Sequence, residues 1–205
     1  MINDSEKLKI MLKDLIPCFE GPWFLGDGGL LGLIRKGDLL DFDDDLDIFI
    51  LPETKINWNK LPNKYGYNKD YVCYKVYDKL GREPATVSPW LRYIQYMRIC
   101  PENKGSDRAE LLQVASTSYR EERIEMKYKS PWIDIFILEK DIDTDNYVIP
   151  YYFNKDKIFY YTKENLKLDI NYDLGYPINI PHKAEEVLER QYGADYMIEN
   201  RNFLY

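Results

Sequence analysis

Three aspartates stand where charged side chains are unusual, inside short apolar runs of the sequence. Asp45 and Asp47 begin the run "DLDIFI", and Asp134 lies within "WIDIFIL". Residues two apart in an extended strand point to the same face, so Asp45 and Asp47 project together. Two neighbouring carboxylates on an apolar strand would force one to protonate unless a cation offset their repulsion. The pattern therefore predicts a divalent metal site, and Mg²⁺ prefers a few carboxylate oxygens together with water and phosphate oxygens.

Asp134 is the candidate third ligand of this site. A charged side chain within an apolar strand is costly unless it has a partner or faces water. An exposed position on an edge strand is therefore the alternative interpretation of Asp134. If the two strands instead bring all three aspartates together, they could hold two metal ions for in-line attack at phosphorus.

The other aspartates of the run "DFDDD" have simpler interpretations. We expect Asp41 and Asp44 to lie in a solvated turn, which is the usual place of a charge run. Asp43 could orient a metal ligand or a metal-bound water. A calcium loop beginning at Asp41 is excluded, because Leu46 and Pro52 occupy the positions that require Gly and Glu.

Gly28 and Gly29 lie between a predicted strand and a predicted helix. Backbone N–H groups at such a turn, together with the helix N-terminus, can bind an anion. A P-loop is excluded because no Gly-Lys-Ser/Thr follows, and a dinucleotide-binding motif counted from Gly26 fails because Leu31 occupies its last glycine position. The two glycines are thus candidates for binding phosphate, although glycine turns also occur without ligands.

Three basic residues could contact a phosphate group. Arg35, near the end of the helix that follows the glycines, could neutralise substrate phosphate or be an exposed helix cation. His182 and Lys183 precede the last predicted helix, where they could cap the helix and lie on the surface, or contact a donor molecule.

The elements that position these residues alternate between helix and strand, which predicts a mixed α/β fold. Ser5 is the expected N-cap of the first helix, and glycines end two others. The predicted helices cover residues 5–19, 28–36, 89–99, 153–166 and 183–191. The predicted strands cover residues 22–26, 45–50, 123–128 and 132–138, the last two near the end of the sheet. Residues 71–80 fit either a strand or a short helix, and residues 57–66 and 101–107 are predicted loops.

Composition limits the possible functions. The 205 residues are 45% hydrophobic and 15% aromatic, so we expect one folded domain over residues 1–205. The net charge of -7 argues against a nucleic-acid partner, because phosphate binding by bulk attraction needs a basic face. With a single histidine in the chain, a general base is expected to be a carboxylate.

The cysteines and the hydropathy pattern bear on location. Cys18, Cys73 and Cys100 are odd in number, far apart and outside any zinc-binding spacing, which favours a reducing compartment. No apolar run approaches the ~20 residues of a membrane span, and the N-terminus lacks a secretory signal pattern. We therefore expect a cytoplasmic protein without a transmembrane segment.

Taken together, these features resemble the LicD/fukutin family, which has a nucleotidyltransferase fold. "GGLLGLIRKGDLLDFDDDLDIFI" is similar to the family motif, roughly "GGTLLGAVRHGGFIPWDDDIDI". "WIDIFIL" resembles the strand of the third aspartate, and "YPINIPHKAEEVLERQYGADYM" resembles the closing segment of the family. The resemblance covers residues 22–50, 132–138 and 176–197. Residues around 55–125 are expected to form a divergent insertion.

The resemblance implies roles for the candidate residues. Asp45, Asp47 and Asp134 would be catalytic and hold Mg²⁺ or Mn²⁺, while Asp134 would also take the proton of the attacking hydroxyl. Gly28 and Gly29 would form the phosphate loop, and Arg35 would face the donor. This sequence departs from the family motif at Gly29, where Thr or Ser is usual, at Lys36, where His is usual, and at "LDF" in place of "IPW".

The resemblance also implies an activity. Members of the family transfer a phospho-alcohol, such as phosphocholine or a polyol phosphate, from a donor such as CDP-choline or a CDP-polyol. The acceptor is a sugar hydroxyl, here expected on a cell-surface polysaccharide, lipopolysaccharide or teichoic acid precursor. Three alternatives stay open: transfer of NMP from an NTP to a small molecule or protein, a glycosyltransferase with a single Mn²⁺, and a relative that binds nucleotide or glycan without turnover.

Overall fold

A computed structural model describes residues 3–41, 43, 45–62, 66–67, 72–73, 95–100, 131–141, 144–148 and 160–199. These residues include three α-helices and two single 3₁₀ turns. The helices are α1 (Asp4–Leu15), α2 (Asp27–Lys36) and α3 (Ala184–Tyr192), and the 3₁₀ turns are Ile16–Cys18 and Trp58–Lys60. None of these helices has the length and apolar character needed to cross a bilayer.

Thirteen strands, several only two residues long, complete the described elements. They are β1 (Phe19–Glu20), β2 (Trp23–Leu25), β3 (Asp45–Ile50), β4 (Lys55–Ile56), β5 (Gly66–Tyr67), β6 (Val72–Cys73), β7 (Gln95–Cys100), β8 (Trp132–Ile137), β9 (Glu139–Lys140), β10 (Tyr147–Val148), β11 (Tyr160–Tyr161), β12 (Asp169–Asp173) and β13 (Pro177–Ile180). The predicted mixed α/β class is confirmed.

The main sheet has six strands in the order β2-β3-β8-β7-β5, with β6 also paired to β7. β3 and β8 are parallel, and the other pairs are antiparallel. The register of β3 and β8 begins with Asp45 opposite Trp132 and has no shift along the strands. β8 therefore lies inside the sheet, which corrects the expectation that its segment lies near the end.

The two faces of β3 and β8 have different side chains because successive residues of a strand point to opposite faces. One face is aliphatic and fully buried, formed by Leu46, Ile48, Ile133, Ile135 and their neighbours. The other face carries an aromatic cluster in which Phe49 stacks on Phe136 at 5.4 Å and on Phe24 at 5.6 Å. Tyr161 meets Phe24 edge-on at 4.8 Å between ring centroids.

The helix ends follow local sequence signals. The Asn3 side chain caps α1 by accepting a 2.8 Å hydrogen bond from the Glu6 N–H, whereas Ser5 is buried inside the helix. The prediction of Ser5 as the N-cap is therefore wrong, and the helix ends at Leu15 instead of continuing to residue 19. α2 ends at Lys36 and is capped by Gly37, whose φ of 73° suits a residue without a Cβ.

Two predicted helices are contradicted where the structure describes them. Residues 95–99 belong to β7, which pairs with β8, and not to a helix over 89–99. Residues 160–166 form β11 and a turn, not the end of a helix over 153–166. Apolar residues in both segments are spaced so that pairing in a sheet can use them as well as a helix can. The predicted strand over 123–128 and the loop over 101–107 lie outside the described residues.

Replacing Asn165 with Ala will lower the free energy of unfolding by about 2–3 kcal/mol, because this buried amide joins two segments. Its Oδ1 accepts from the backbone N–H and the hydroxyl of Thr162, each at 2.9 Å, and its Nδ2 donates to the His182 carbonyl at 2.8 Å. Urea unfolding measures the change. Asn57→Ala is the control, since the Asn57 side chain donates to the exposed Glu20 carboxylate. Equal, small losses in both variants would contradict the role of Asn165.

Candidate active site

The strand register brings Asp47 and Asp134 side by side. Asp47 is the direct Cα partner of Asp134 in the parallel pair of β3 and β8. Neighbouring strands lie ~4.8 Å apart, and aligned residues point to the same face of a sheet. Asp45 lies two residues before Asp47 on the same face, roughly 6.6 Å along the strand. The three predicted metal ligands therefore share one face at the start of two adjacent strands.

Burial distinguishes the members of this group. Asp134 is only 6% exposed, in an interior strand, so the alternative of an exposed edge residue is wrong. Asp45 and Asp47 are half-buried. Two residues further along each strand, Phe49 and Phe136 belong to the aromatic cluster. The carboxylates thus lie between an apolar wall and the more open end of the strands.

The start of α2 lies against the same end of β3. The Gly26 N–H donates to the Asp47 carbonyl at 3.0 Å, which fixes the turn between β2 and α2 to the aspartate strand. α2 begins directly after Gly26 without a side-chain cap. Amide groups in the first turn of a helix lack partners within the helix and favour anions. The structure therefore places Gly28 and Gly29, in this first turn, close to the aspartates.

The two glycines have different surroundings. A Cβ on Gly28 would lie 3.5 Å from Oδ2 of Asp43, so this residue faces the acidic side of the turn. A Cβ on Gly29 would lie 2.9 Å from Leu25 Cδ1 and 3.0 Å from Leu46 Cδ2. Gly29 therefore allows α2 to pack closely on the sheet. Because a side chain at this position would point into the core, Gly29 can bind an anion through its backbone N–H alone.

Asp27, which the sequence analysis did not single out, is a further acidic residue of this site. It opens α2 with a φ of 43°, which is unusual for a residue with a side chain. Removal from water raises the pKa of its carboxyl to about 7, and the nearby charge of Asp45 acts in the same direction. Gln191 Nε2 donates to Asp27 Oδ1 at 3.3 Å and partly opposes this shift.

Two residues from distant parts of the chain also reach the site. Gln191, in the last turn of α3, donates to Asp27 and lies 3.5 Å from the hydroxyl of Tyr161. Burial raises the pKa of Tyr161 well above its usual value, and the charges of Asp27 and Asp47 contribute. The position of Asp27 directly before Gly28, at the glycine turn, is a sequence signal that could have indicated this residue. No such signal indicates Gln191 or Tyr161, because their residue types commonly occur on helices and in cores.

These residues fit a divalent cation in their chemistry. They offer carboxylate oxygens, which small divalent cations prefer, from two adjacent strands. Within the described residues, no three His, Cys, Asp or Glu side chains already converge as a ligand set. A cation between carboxylates of like charge would offset their repulsion.

Arg35 and Lys183 lie apart from the aspartates. Arg35 follows Asp27 by eight residues in α2, roughly 12 Å along the axis. Its Nε donates to the Tyr196 carbonyl at 2.5 Å and its Nη2 to the Ile198 carbonyl at 3.2 Å. These bonds use two of the five N–H groups of the guanidinium and anchor the C-terminal segment. Contact of Arg35 with donor phosphate stays a prediction.

Lys183 is at the opposite end of α3 from the residue that reaches the site. It precedes Gln191 by eight residues, again roughly 12 Å of helix. It is the N-cap residue of α3, with a φ of 56°, and its Nζ lies 3.2 Å from a carboxylate oxygen of Glu186. The neighbouring His182 contacts Asp169 through Nδ1 at 2.9 Å. The capping and surface interpretation of this pair accounts for these contacts.

Arg35→Ala will release the C-terminal segment and leave the Michaelis constant for the donor within about twofold of the parent value. The lost hydrogen bonds are charge-assisted but half-exposed, so we expect about 1–2 kcal/mol of lost stability. Thermal unfolding and steady-state kinetics measure the two effects. Lys36→Ala is the control, because the Lys36 side chain forms an ion pair with the exposed Asp41 carboxylate. A tenfold rise in the Michaelis constant at unchanged stability would instead show that Arg35 binds the donor.

Comparison with known protein families gives one match. Residues 21–83 match the family model described as LicD/FKTN/FKRP, nucleotidyltransferase domain. The match contains β2, α2 and β3, extends beyond residue 50 into the segment expected to be divergent, and ends before Asp134 and α3. A search among curated proteins finds no match. The resemblance noted in the sequence is confirmed over the matched segment.

Proposed function

Because residues 21–83 match the model of the LicD/FKTN/FKRP nucleotidyltransferase domain, we propose that the chain is a metal-dependent phosphotransferase acting on glycans. It moves a phospho-alcohol, phosphocholine or a polyol phosphate, from a CDP-activated donor to a glycan hydroxyl. Cell-surface polysaccharide, lipopolysaccharide and teichoic acid precursors are the acceptors we consider. The observation that carries the proposal is the register of Asp47 with Asp134, next to the first turn of α2.

The proposed reaction is a single displacement at phosphorus. The acceptor oxygen forms a bond to the phosphorus that bears the alcohol, while the bond from that phosphorus to the bridging oxygen of CMP breaks. Asp45, Asp47 and Asp134 would hold a divalent cation, which would neutralise charge on the diphosphate and the departing CMP. Asp134 accepts the proton of the attacking hydroxyl, and Asp43 orients a ligand or a water.

In the proposed reaction, the start of α2 binds the non-bridging phosphate oxygens. The backbone N–H groups of Gly28 and Gly29 lie at the positive end of the helix, where they stabilise charge that develops in the transition state. The buried aromatic cluster borders the carboxylates on one side and limits the access of water that would compete with the acceptor hydroxyl. These two features supply positioning and exclusion of solvent without movement of the sheet.

A nucleotidyltransferase is the second candidate, and it is favoured because the matched family is described as a nucleotidyltransferase domain. Such an enzyme attacks the α-phosphate of an NTP and transfers NMP to a small molecule or protein. The same carboxylates would serve both reactions, since each displaces a phosphate at a metal-bound diphosphate. The two candidates differ in the nucleotide that the site accepts.

A thermal-shift screen separates these candidates. CDP-choline, CDP-ribitol, CTP, ATP and UDP-sugars are each added with and without Mg²⁺. A ligand at one hundred times its dissociation constant stabilises by about 2.7 kcal/mol, which raises the melting temperature of a chain of this size by roughly 5–10 °C. We expect this shift with a CDP-alcohol and Mg²⁺ together. A response confined to NTPs would favour NMP transfer, and a response confined to UDP-sugars would favour a glycosyltransferase.

A further inference from the structure

We propose that Asp27 is a fourth carboxylate of the cation site, and that Gln191 is the residue that positions it. This inference deepens the proposed function and rests on it, because it concerns the same divalent cation. It adds α3, which lies outside the matched segment 21–83, to the site.

The contacts around Asp27 are the first observation that supports this proposal. Its backbone has a positive φ of 43° at the start of α2, a conformation that side-chain-bearing residues keep only when the surroundings hold it. Gln191 Nε2 holds the carboxylate by donating to Oδ1 at 3.3 Å. The residue as a whole is half-buried, its carboxyl is removed from water, and the charge of Asp45 acts on that carboxyl. A second negative charge at this place is unfavourable unless a cation offsets it.

The amide of Gln191 is the second observation that supports this proposal. The side chain is only 6% exposed, yet its Oε1 accepts no hydrogen bond within the part of the chain that the structure describes. A buried acceptor of this kind normally has a donor, and an unsatisfied one calls for an explanation. Mg²⁺ usually keeps several of its waters when proteins bind it. A water carried by the cation is a donor of the kind that Gln191 Oε1 lacks.

A structural role alone explains these features less well. An asparagine at position 27 could accept the same hydrogen bond from Gln191 without adding charge beside Asp45. The carboxylate therefore has a use that its hydrogen bond does not require. Attraction of a divalent cation is such a use, because each added carboxylate increases the charge that faces the ion.

Direct titration with Mn²⁺, without nucleotide or donor, tests the inference on the full chain. Free Mn²⁺ is followed by electron paramagnetic resonance in the parent protein, Asp27→Asn, Gln191→Ala and the control Asp41→Asn. Asp41 belongs to the same acidic run, but its side chain is 91% exposed and pairs with Lys36. We expect Asp27→Asn to raise the dissociation constant about tenfold or more and Gln191→Ala severalfold. The control should match the parent protein.

Each other outcome has a defined meaning. Unchanged affinity in folded Asp27→Asn or Gln191→Ala overturns the inference, even if melting of the metal-free protein shows a stability loss. Gln191→Ala keeps the test valid if Asp27→Asn does not fold. Failure of the parent protein to bind Mn²⁺ overturns the proposed function itself, which separates the two failures.

Discussion

Asp134→Asn will reduce metal-dependent transfer by about 10³-fold or more while the protein stays folded. The substitution removes one carboxylate of the cation site and the proposed proton acceptor, and loss of a general base alone typically costs 10²–10⁴-fold. Asp134 is buried beside Asp47, and the amide of asparagine keeps the shape of the carboxylate. We therefore expect the variant to remain folded.

The measurement is turnover with CDP-choline or CDP-ribitol and Mg²⁺, beside thermal unfolding in a metal chelator. Asp41→Asn is the matched control and should retain the parent rate. A mild loss in Asp134→Asn would favour a glycosyltransferase, in which a single cation is held by Asp45 and Asp47 alone. If the parent protein binds nucleotide without any metal dependence or turnover, the remaining alternative is a binding protein of the same fold.

Gly26→Ala will lower the free energy of unfolding by about 3 kcal/mol, because the added methyl group has no space. Its Cβ would lie 2.1 Å from Cε2 and 2.4 Å from Cδ2 of Phe49. That ring is fully buried and stacked between Phe24 and Phe136. Gly26 has a φ of -125° that alanine can adopt, so the clash alone sets the cost.

Urea unfolding checks this second prediction, and Gly28→Ala is its control. A Cβ on Gly28 would make only ordinary contact with Asp43 at 3.5 Å, so the control should be within about 1 kcal/mol of the parent protein. In a Phe49→Leu background, the added substitution Gly26→Ala should cost less stability than it costs in the parent protein. Equal stability of the Gly26 and Gly28 variants would show that the aromatic cluster does not confine this turn.

The sequence predicts the elements around the aspartates well because their signals are local. β3 alternates from Asp45 to Ile50, and β2 and α2 end at glycines, so short stretches suffice to define them. β8 is equally clear in its own sequence. Its pairing with β3 in register, which brings Asp134 to Asp47, is a tertiary fact. The residues alone offered it as one of two alternatives, and the resemblance implied it.

The rest of the site depends on contacts between distant residues. Gln191 follows Asp27 by 164 residues, and nothing in the sequence of α3 indicates a link to the glycine turn. The expected phosphate role of Arg35 arose from its closeness in sequence to the glycines. Within α2 that interval amounts to roughly 9–10 Å, and the guanidinium donates to two backbone carbonyls of the C-terminal segment, contacts that the local sequence does not indicate. The helix predicted over 89–99 fails for a similar reason, since pairing with β8 determines the strand β7.

A crystal structure of the full chain grown with Mn²⁺ and CDP tests the central claim most directly. The account predicts that an anomalous peak marks a Mn²⁺ ion bound by carboxylate oxygens of Asp47 and Asp134. The Mn–O distances should be roughly 2.0–2.3 Å, near the range of oxygen ligands to small divalent cations. The diphosphate should contact the same ion. A fully occupied ion bound elsewhere, with neither of these two carboxylates as its ligand, would contradict the account.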